Sequence, residues 1–139
     1  NQNSIEENQD NKNLELLCGL MIEAAYTDGQ IDEVELKRIR SSLVNIFEED
    51  PIEIEISLKE AVNNKNNSKS LHYYTSYINK NFDDEKKLLL IEVLWEIILT
   101  DGKVHDYESN LIRRLAGLLY ISDVNAGNAR KRALDKITN

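Results

Sequence analysis

One segment of the chain occurs twice, 73 residues apart. Thr27-Asp28-Gly29-Gln30-Ile31-Asp32-Glu33-Val34-Glu35 returns as Thr100-Asp101-Gly102-Lys103-Val104-His105-Asp106-Tyr107-Glu108. At the same offset Leu16 pairs with Leu89, Glu23 with Glu96, Ile39 with Ile112 and Arg40 with Arg113. The matched stretch therefore covers a helix, a turn and a second helix. Self-similarity of this kind means one supersecondary unit used twice. It also places two sets of carboxylates at equivalent positions.

The remaining apolar spacing is helical along most of the chain. Proline occurs once, as Pro51, and the apolar–polar alternation of residues 52–58 follows directly on the Asp50-Pro51 helix start. The spacing predicts an all-α array of about seven helices, two of them central and the rest covering them. The first helix should span residues 12–26, apolar around most of its circumference and stopped by Asp28-Gly29. Asp32, with Glu35 three residues on, reads as a capping box opening the second. Asp50-Pro51-Ile52-Glu53 opens a third that ends near Val62. Ser68 or Ser70 caps a fourth that runs to about Ile78. Asp83 begins a fifth, apolar nearly all round and reaching Leu99, with Asp101-Gly102 as its stop. The sixth should cover residues 106–119, and Ser122 should cap the seventh. Residues 1–11 are rich in Asn, Gln and Glu and read as a frayed, flexible polar segment before one helical domain over 12–139.

Charge and cysteine content narrow the function classes. The formal net charge is −8, which argues against nucleic acid and anionic membranes as partners. Residues 1–100 carry 20 acidic against 10 basic side chains, whereas residues 101–139 carry 5 against 7. The single cysteine, Cys18, rules out an internal disulfide and suits a reducing compartment. The most apolar run, residues 88–99, is too short for a bilayer and contains Glu92 and Glu96. No signal peptide is visible. The expectation is a cytoplasmic protein with no direct membrane insertion.

Asp-Gly-x-[Ile/Val]-x-x-x-Glu is the second half of an EF-hand loop. The first half is not there: its acidic positions hold Ala24 and Tyr26 in one copy, Ile97 and Leu99 in the other. Ca²⁺ takes six to eight oxygen ligands, so an ordinary EF-hand is excluded. Each turn residue also serves a fold without metal. Asp28 and Asp101 suit helix-end turns, Gly29 and Gly102 a left-handed turn, and Glu35 and Glu108 capping boxes. Glu23 and Glu96 fit less easily, because each lies in an otherwise apolar helix. A buried carboxylate is paired, metal-bound or protonated. Their partners are either a cation or basic side chains such as Arg38, Arg40, Arg113 or Arg114. Hard oxygen donors favour Ca²⁺, Mg²⁺ or Mn²⁺ over zinc. His105 occupies the slot equivalent to Asp32 and reads as an exposed cap residue. His72-Tyr73-Tyr74-Thr75-Ser76-Tyr77 reads as a packing surface on the fourth helix. Neither histidine forms a nucleophile–base arrangement, and no glycine-rich phosphate loop occurs.

The two segments resemble the paired signatures of the tellurite-resistance TerB-like family. Ala24-Ala25-Tyr26 with the first copy through Glu35 looks like the first signature. Leu94-Trp95-Glu96-Ile97-Ile98-Leu99 with the second copy through Glu108, continued by residues 111–122, looks like the second. The likeness covers about residues 12–137. It implies a TerB-like all-helical fold and a link to tellurite and general stress resistance. It also implies a metal site at Glu23, Asp28, Asp32, Glu35, Glu96, Asp101, Asp106 and Glu108. Ile97-Ile98-Leu99 and His105 depart from the family pattern and weaken the second half-site.

The function expected from these residues is non-enzymatic. The domain would bind a divalent cation or a protein partner through its acidic turns. An alternative is a purely structural, scaffolding module without metal. A third is a metal-dependent hydrolase. The hydrolase requires carboxylates converging beside vacant coordination positions; the scaffold requires them engaged by helix caps and arginines.

Overall fold

The computed structural model describes residues 2–26, 30–65, 69–100, 102 and 106–138, with side chains from residue 12 onward. Its regular elements are seven α-helices: α1 (Gln2–Ala25), α2 (Glu33–Asn45), α3 (Pro51–Asn63), α4 (Leu71–Asn81), α5 (Asp84–Leu99), α6 (Asp106–Leu118) and α7 (Asp123–Thr138). The all-α array read from the sequence is the fold observed.

Short polar side chains set the starts. The Asp32 carboxylate accepts from Val34 N at 3.2 Å, Asp50 from Ile52 N at 3.0 Å and Ser70 from Tyr73 N at 3.2 Å. Asp83 accepts from Lys86 N at 2.8 Å, and Ser122 from Asn125 N at 3.1 Å. Each satisfies an amide that no carbonyl within the helix can reach. Gly102, at φ +75°, ends α5 in the left-handed region, its amide donating to Leu99 O at 3.1 Å. The stop at Asp28-Gly29 lies outside the described residues.

Two boundaries differ from the sequence pattern. α1 starts at Gln2 rather than Lys12. No glycine or proline precedes Gly19, so nothing in the backbone opposes extending the helix outward from its packed part. α4 runs three residues beyond Ile78 to Asn81, where Asn81 Nδ2 donates back to Tyr77 O at 2.9 Å.

α1 and α5 form the centre. Leu17, Leu20 and Met21 of α1 and Leu90, Leu94, Ile97 and Ile98 of α5 are at most 1% exposed. Every residue of 90–99 is buried. The outer helices follow the internal repeat. α1 packs most extensively on α3, and α5 most extensively on α7; α2 crosses to α5, and α6 crosses to α1. Buried Ile54 and Leu58 of α3 have their counterparts in buried Ala129 and Ala133 of α7. The repeat recognised over two helices thus extends in space to a third, α1–α2–α3 answering α5–α6–α7. α4 links the two units. It packs on α6, reaches α1 through a Tyr77 hydroxyl bond to Asn13 Oδ1, and Asn79 Nδ2 donates to Leu118 O at 3.1 Å.

Candidate functional site

α5 positions the deepest charged groups. Glu92 and Glu96 stand one turn apart on one face and are 4% and 3% exposed. α7 supplies their counter-charges at the same spacing, Arg132 and Lys136. Arg132 Nε donates to Glu92 Oε1. Lys136 Nζ donates to Glu92 Oε2 at 2.7 Å and stands 3.6 Å from Glu96 Oε2. From α2, Arg38 Nη1 reaches to 3.7 Å of Glu96 Oε1.

The two carboxylates are not held equally. Burial pushes the Glu92 carboxyl upward, but hydrogen bonds from Lys136 and Arg132 outweigh it and hold it below the ordinary carboxylate value. At Glu96 burial prevails over the charges of Lys136 and Arg38, and its carboxyl is raised. Distances of 3.6–3.7 Å are ion pairs without hydrogen bonds, and Glu96 Oε2 has no hydrogen-bond partner. The Lys136 ammonium is raised, first by its bond to Glu92.

The expected metal-site residues are placed as follows. Glu96 is buried in the cluster just described. Its counterpart Glu23 is only half-buried and faces a cavity of about 120 Å³ between α1, α3 and α4. Asp32 is the cap of α2. Asp106 is exposed in the first turn of α6. Glu35 and Glu108, equivalent in the repeat, are 6% and 3% exposed and engaged with neighbouring groups. Asp28, Asp101 and His105 lie outside the described residues. Among the described residues, no group of three or more His, Cys, Asp or Glu side chains is close enough to hold a metal ion.

Glu92, Arg132 and Lys136 did not stand out as site residues in the sequence. One signal for them exists: two acids spaced i, i+4 on an apolar helix, and two bases spaced i, i+4 on a later one. Cys18 is buried, and burial pushes its thiol to about 12, leaving it inert at neutral pH. Tyr73 and Tyr74 meet edge to face with centroids 5.8 Å apart; Tyr74 and Thr75 are buried and Tyr73 and Tyr77 half-buried, while His72 and Ser76 of the same stretch are exposed.

The cap reading of Asp32 carries a direct expectation. Asp32→Ala should cost about 1 kcal/mol by leaving the Val34 amide unsatisfied. An unchanged urea midpoint in metal-free buffer would remove this role.

The model of the family described as "Tellurite resistance protein TerB" matches residues 14–131. No curated protein matches the chain, and no solved structure does. The match takes in the packed part of α1, all of α2 to α6 and the first half of α7, ending one residue before Arg132, and on that ground the chain belongs to the TerB family.

Proposed function

We propose that this chain is a non-catalytic, cytoplasmic TerB-type domain that acts by binding, within a stress-response assembly of the tellurite-resistance kind. Its two acidic turns are the contact points, for a divalent cation or for a protein partner. The observation that carries this is the burial of Glu35 and Glu108 at equivalent places beside the two turns. The deep pair, Glu92 and Glu96, is already neutralised by Arg38, Arg132 and Lys136, which suits structure rather than hydrolysis. Glu35 and Glu108 are buried at equivalent places immediately beside the turns, where the remaining oxygen donors converge in sequence. Glu35 would join Asp28 and Asp32; Glu108 would join Asp101 and Asp106. No helix among the described residues is long and apolar enough to cross a membrane.

The helix start beside each turn carries positive dipole, which opposes a cation and favours capping by the same carboxylates. Affinity should therefore be weak, about 10⁻⁴ to 10⁻³ M. Cation at about 10 mM would then stabilise the fold by about 1–3 kcal/mol through mass action. Thermal melts in Ca²⁺, Mg²⁺ and Mn²⁺ should show this as a rise of a few degrees. Asp28→Asn with Glu35→Gln should reduce the rise relative to that variant's own metal-free melt. If none of the three cations moves the wild-type curve, the turns are structural and the scaffolding alternative holds.

A further inference from the structure

The two halves of the molecule differ at one corresponding place. In the C-terminal half, the seam between α5 and α7 is filled by Glu92, Glu96, Arg132 and Lys136. The 73-residue offset carries Glu92 onto Gly19 and Glu96 onto Glu23. Aligning buried Ala129 and Ala133 with buried Ile54 and Leu58 carries Arg132 onto Ser57 and Lys136 onto Ala61. Four long charged side chains thus become glycine, glutamate, serine and alanine. These four residues all line the cavity of about 120 Å³. The cavity is the seam with its salt bridges removed and one carboxylate left. Glu23 takes part in none of the ion pairs of the described residues.

We infer that this cavity receives a basic side chain of a partner protein, whose guanidinium or ammonium group takes the place opposite Glu23 that Arg38 and Lys136 hold opposite Glu96. Three acids, Glu15, Glu23 and Glu60, and three bases, Lys12, Lys65 and Lys69, line it beside Tyr73 and Tyr74, so the attraction to a cation is local to Glu23. The rim lysines lie over rings and none pairs with Glu23: Lys12 and Lys69 lie over the Tyr73 ring at 5.7 and 5.5 Å, and Lys65 over Tyr26 at 4.7 Å. These ring contacts are the kind a cationic side chain makes. The volume is close to that of the roughly 150 Å³ cavity that takes a benzene-sized group, which fits a side-chain head rather than a whole cofactor. Gly19 keeps the floor open and closely approached; a Cβ there would stand 2.8 Å from the Tyr74 hydroxyl. All these residues belong to the first 100, where acidic side chains outnumber basic ones two to one. That field draws in a basic partner.

This site is separate from the acidic turns, and its test is separate from the metal titration. The probes are n-butylguanidinium and a blocked Gly-Arg-Gly tripeptide, titrated into ¹⁵N-labelled full chain at constant ionic strength. Both should shift the amides of Gly19, Glu23 and Ala61 saturably, with about millimolar affinity. Glu23→Gln should weaken binding about tenfold by removing the charge-assisted bond. Ala61→Lys, restoring the cation of the other half, should abolish binding. Three results would overturn the inference: no saturable shift, equal binding by Glu23→Gln, or equal shifts from uncharged n-pentanol. Binding of butylguanidinium without the tripeptide would overturn the assignment to a protein side chain.

Discussion

Leu94→Ala is expected to remove about 3–4 kcal/mol of stability, the largest effect of any single change considered for this molecule. Leu94 is fully buried, and every neighbour on α5 from 90 to 99 is buried with it. α5 touches α1, α2, α6 and α7. A helix enclosed on so many sides cannot shift toward a vacancy without disturbing several packed faces at once. The cavity therefore stays largely open, and lost contacts add to lost burial. For a domain of this size the total stability is about 5–15 kcal/mol, so the variant should lose a large share of it. Urea denaturation followed by Trp95 fluorescence reads this directly. Ile52→Ala is the control: Ile52 is 72% exposed, and its change should stay within about 0.5 kcal/mol. A loss at Leu94 below about 1.5 kcal/mol would mean that α5 is not the rigid centre.

Much of this architecture was legible because local and long-range signals agreed. Asp32, Asp50, Ser70, Asp83 and Ser122 each announce a helix start, and each makes the capping bond. The two helices that read as apolar all round are the two central ones. Signals failed where the cause was tertiary or where none existed. The start of α1 lay hidden in polar residues that neither favour nor forbid a helix. Left-handed backbone at Glu48 (φ 56°) and Tyr120 (φ 62°) ends α2 and α6 without the glycine that would mark it. Ile121 N closes the α6 end by donating to Ala116 O at 3.0 Å, a bond between backbone groups that leaves no trace in residue type.

The candidate site divides the same way. Glu96 is legible as a carboxylate in an apolar helix that needs a partner, and Arg38, one of the bases the sequence offers, stands against it. Lys136 and Arg132 lie some 40 residues further on, and the sequence alone gives no distance between α5 and α7. By the 73-residue offset Glu23 is the twin of Glu96. The structure separates the two because their surroundings are not twins: α7 brings Lys136 to Glu96, whereas α3 brings Ala61 to Glu23. An internal repeat thus conserves where a side chain stands without conserving what it meets.

The charged seam yields the second large expectation, a contrast between neighbouring carboxylates. Glu92→Gln should lower stability by about 2 kcal/mol near pH 7, while Glu96→Gln should leave it equal or higher. Glu92 accepts from both Arg132 and Lys136. A glutamine there turns an amide nitrogen toward one of these cations and strands it, although both bases are 48% exposed and water limits the loss. Glu96 has no hydrogen bond to lose at Oε2, and its charge is buried at a cost the ion pairs at 3.6–3.7 Å only partly offset. The pH dependences should run in opposite directions. The Glu92 carboxyl is held below its ordinary value of 4.5, so its contribution is present above 4.5 and is lost as pH falls through the lower folded value. The Glu96 carboxyl is raised above 4.5, so its contribution is fully present below 4.5 and is lost as pH rises through the folded value. Any advantage of Glu96→Gln over the wild type should therefore appear near neutrality and vanish on acidification. The deficit of Glu92→Gln should instead be full near neutrality and shrink only below the ordinary carboxylate range. Urea midpoints of the three proteins at about pH 7, 5.5 and 4 bracket these ranges. Equal losses from the two substitutions at neutral pH would mean that Lys136 serves both carboxylates alike and that the seam is one uniform salt-bridge cluster.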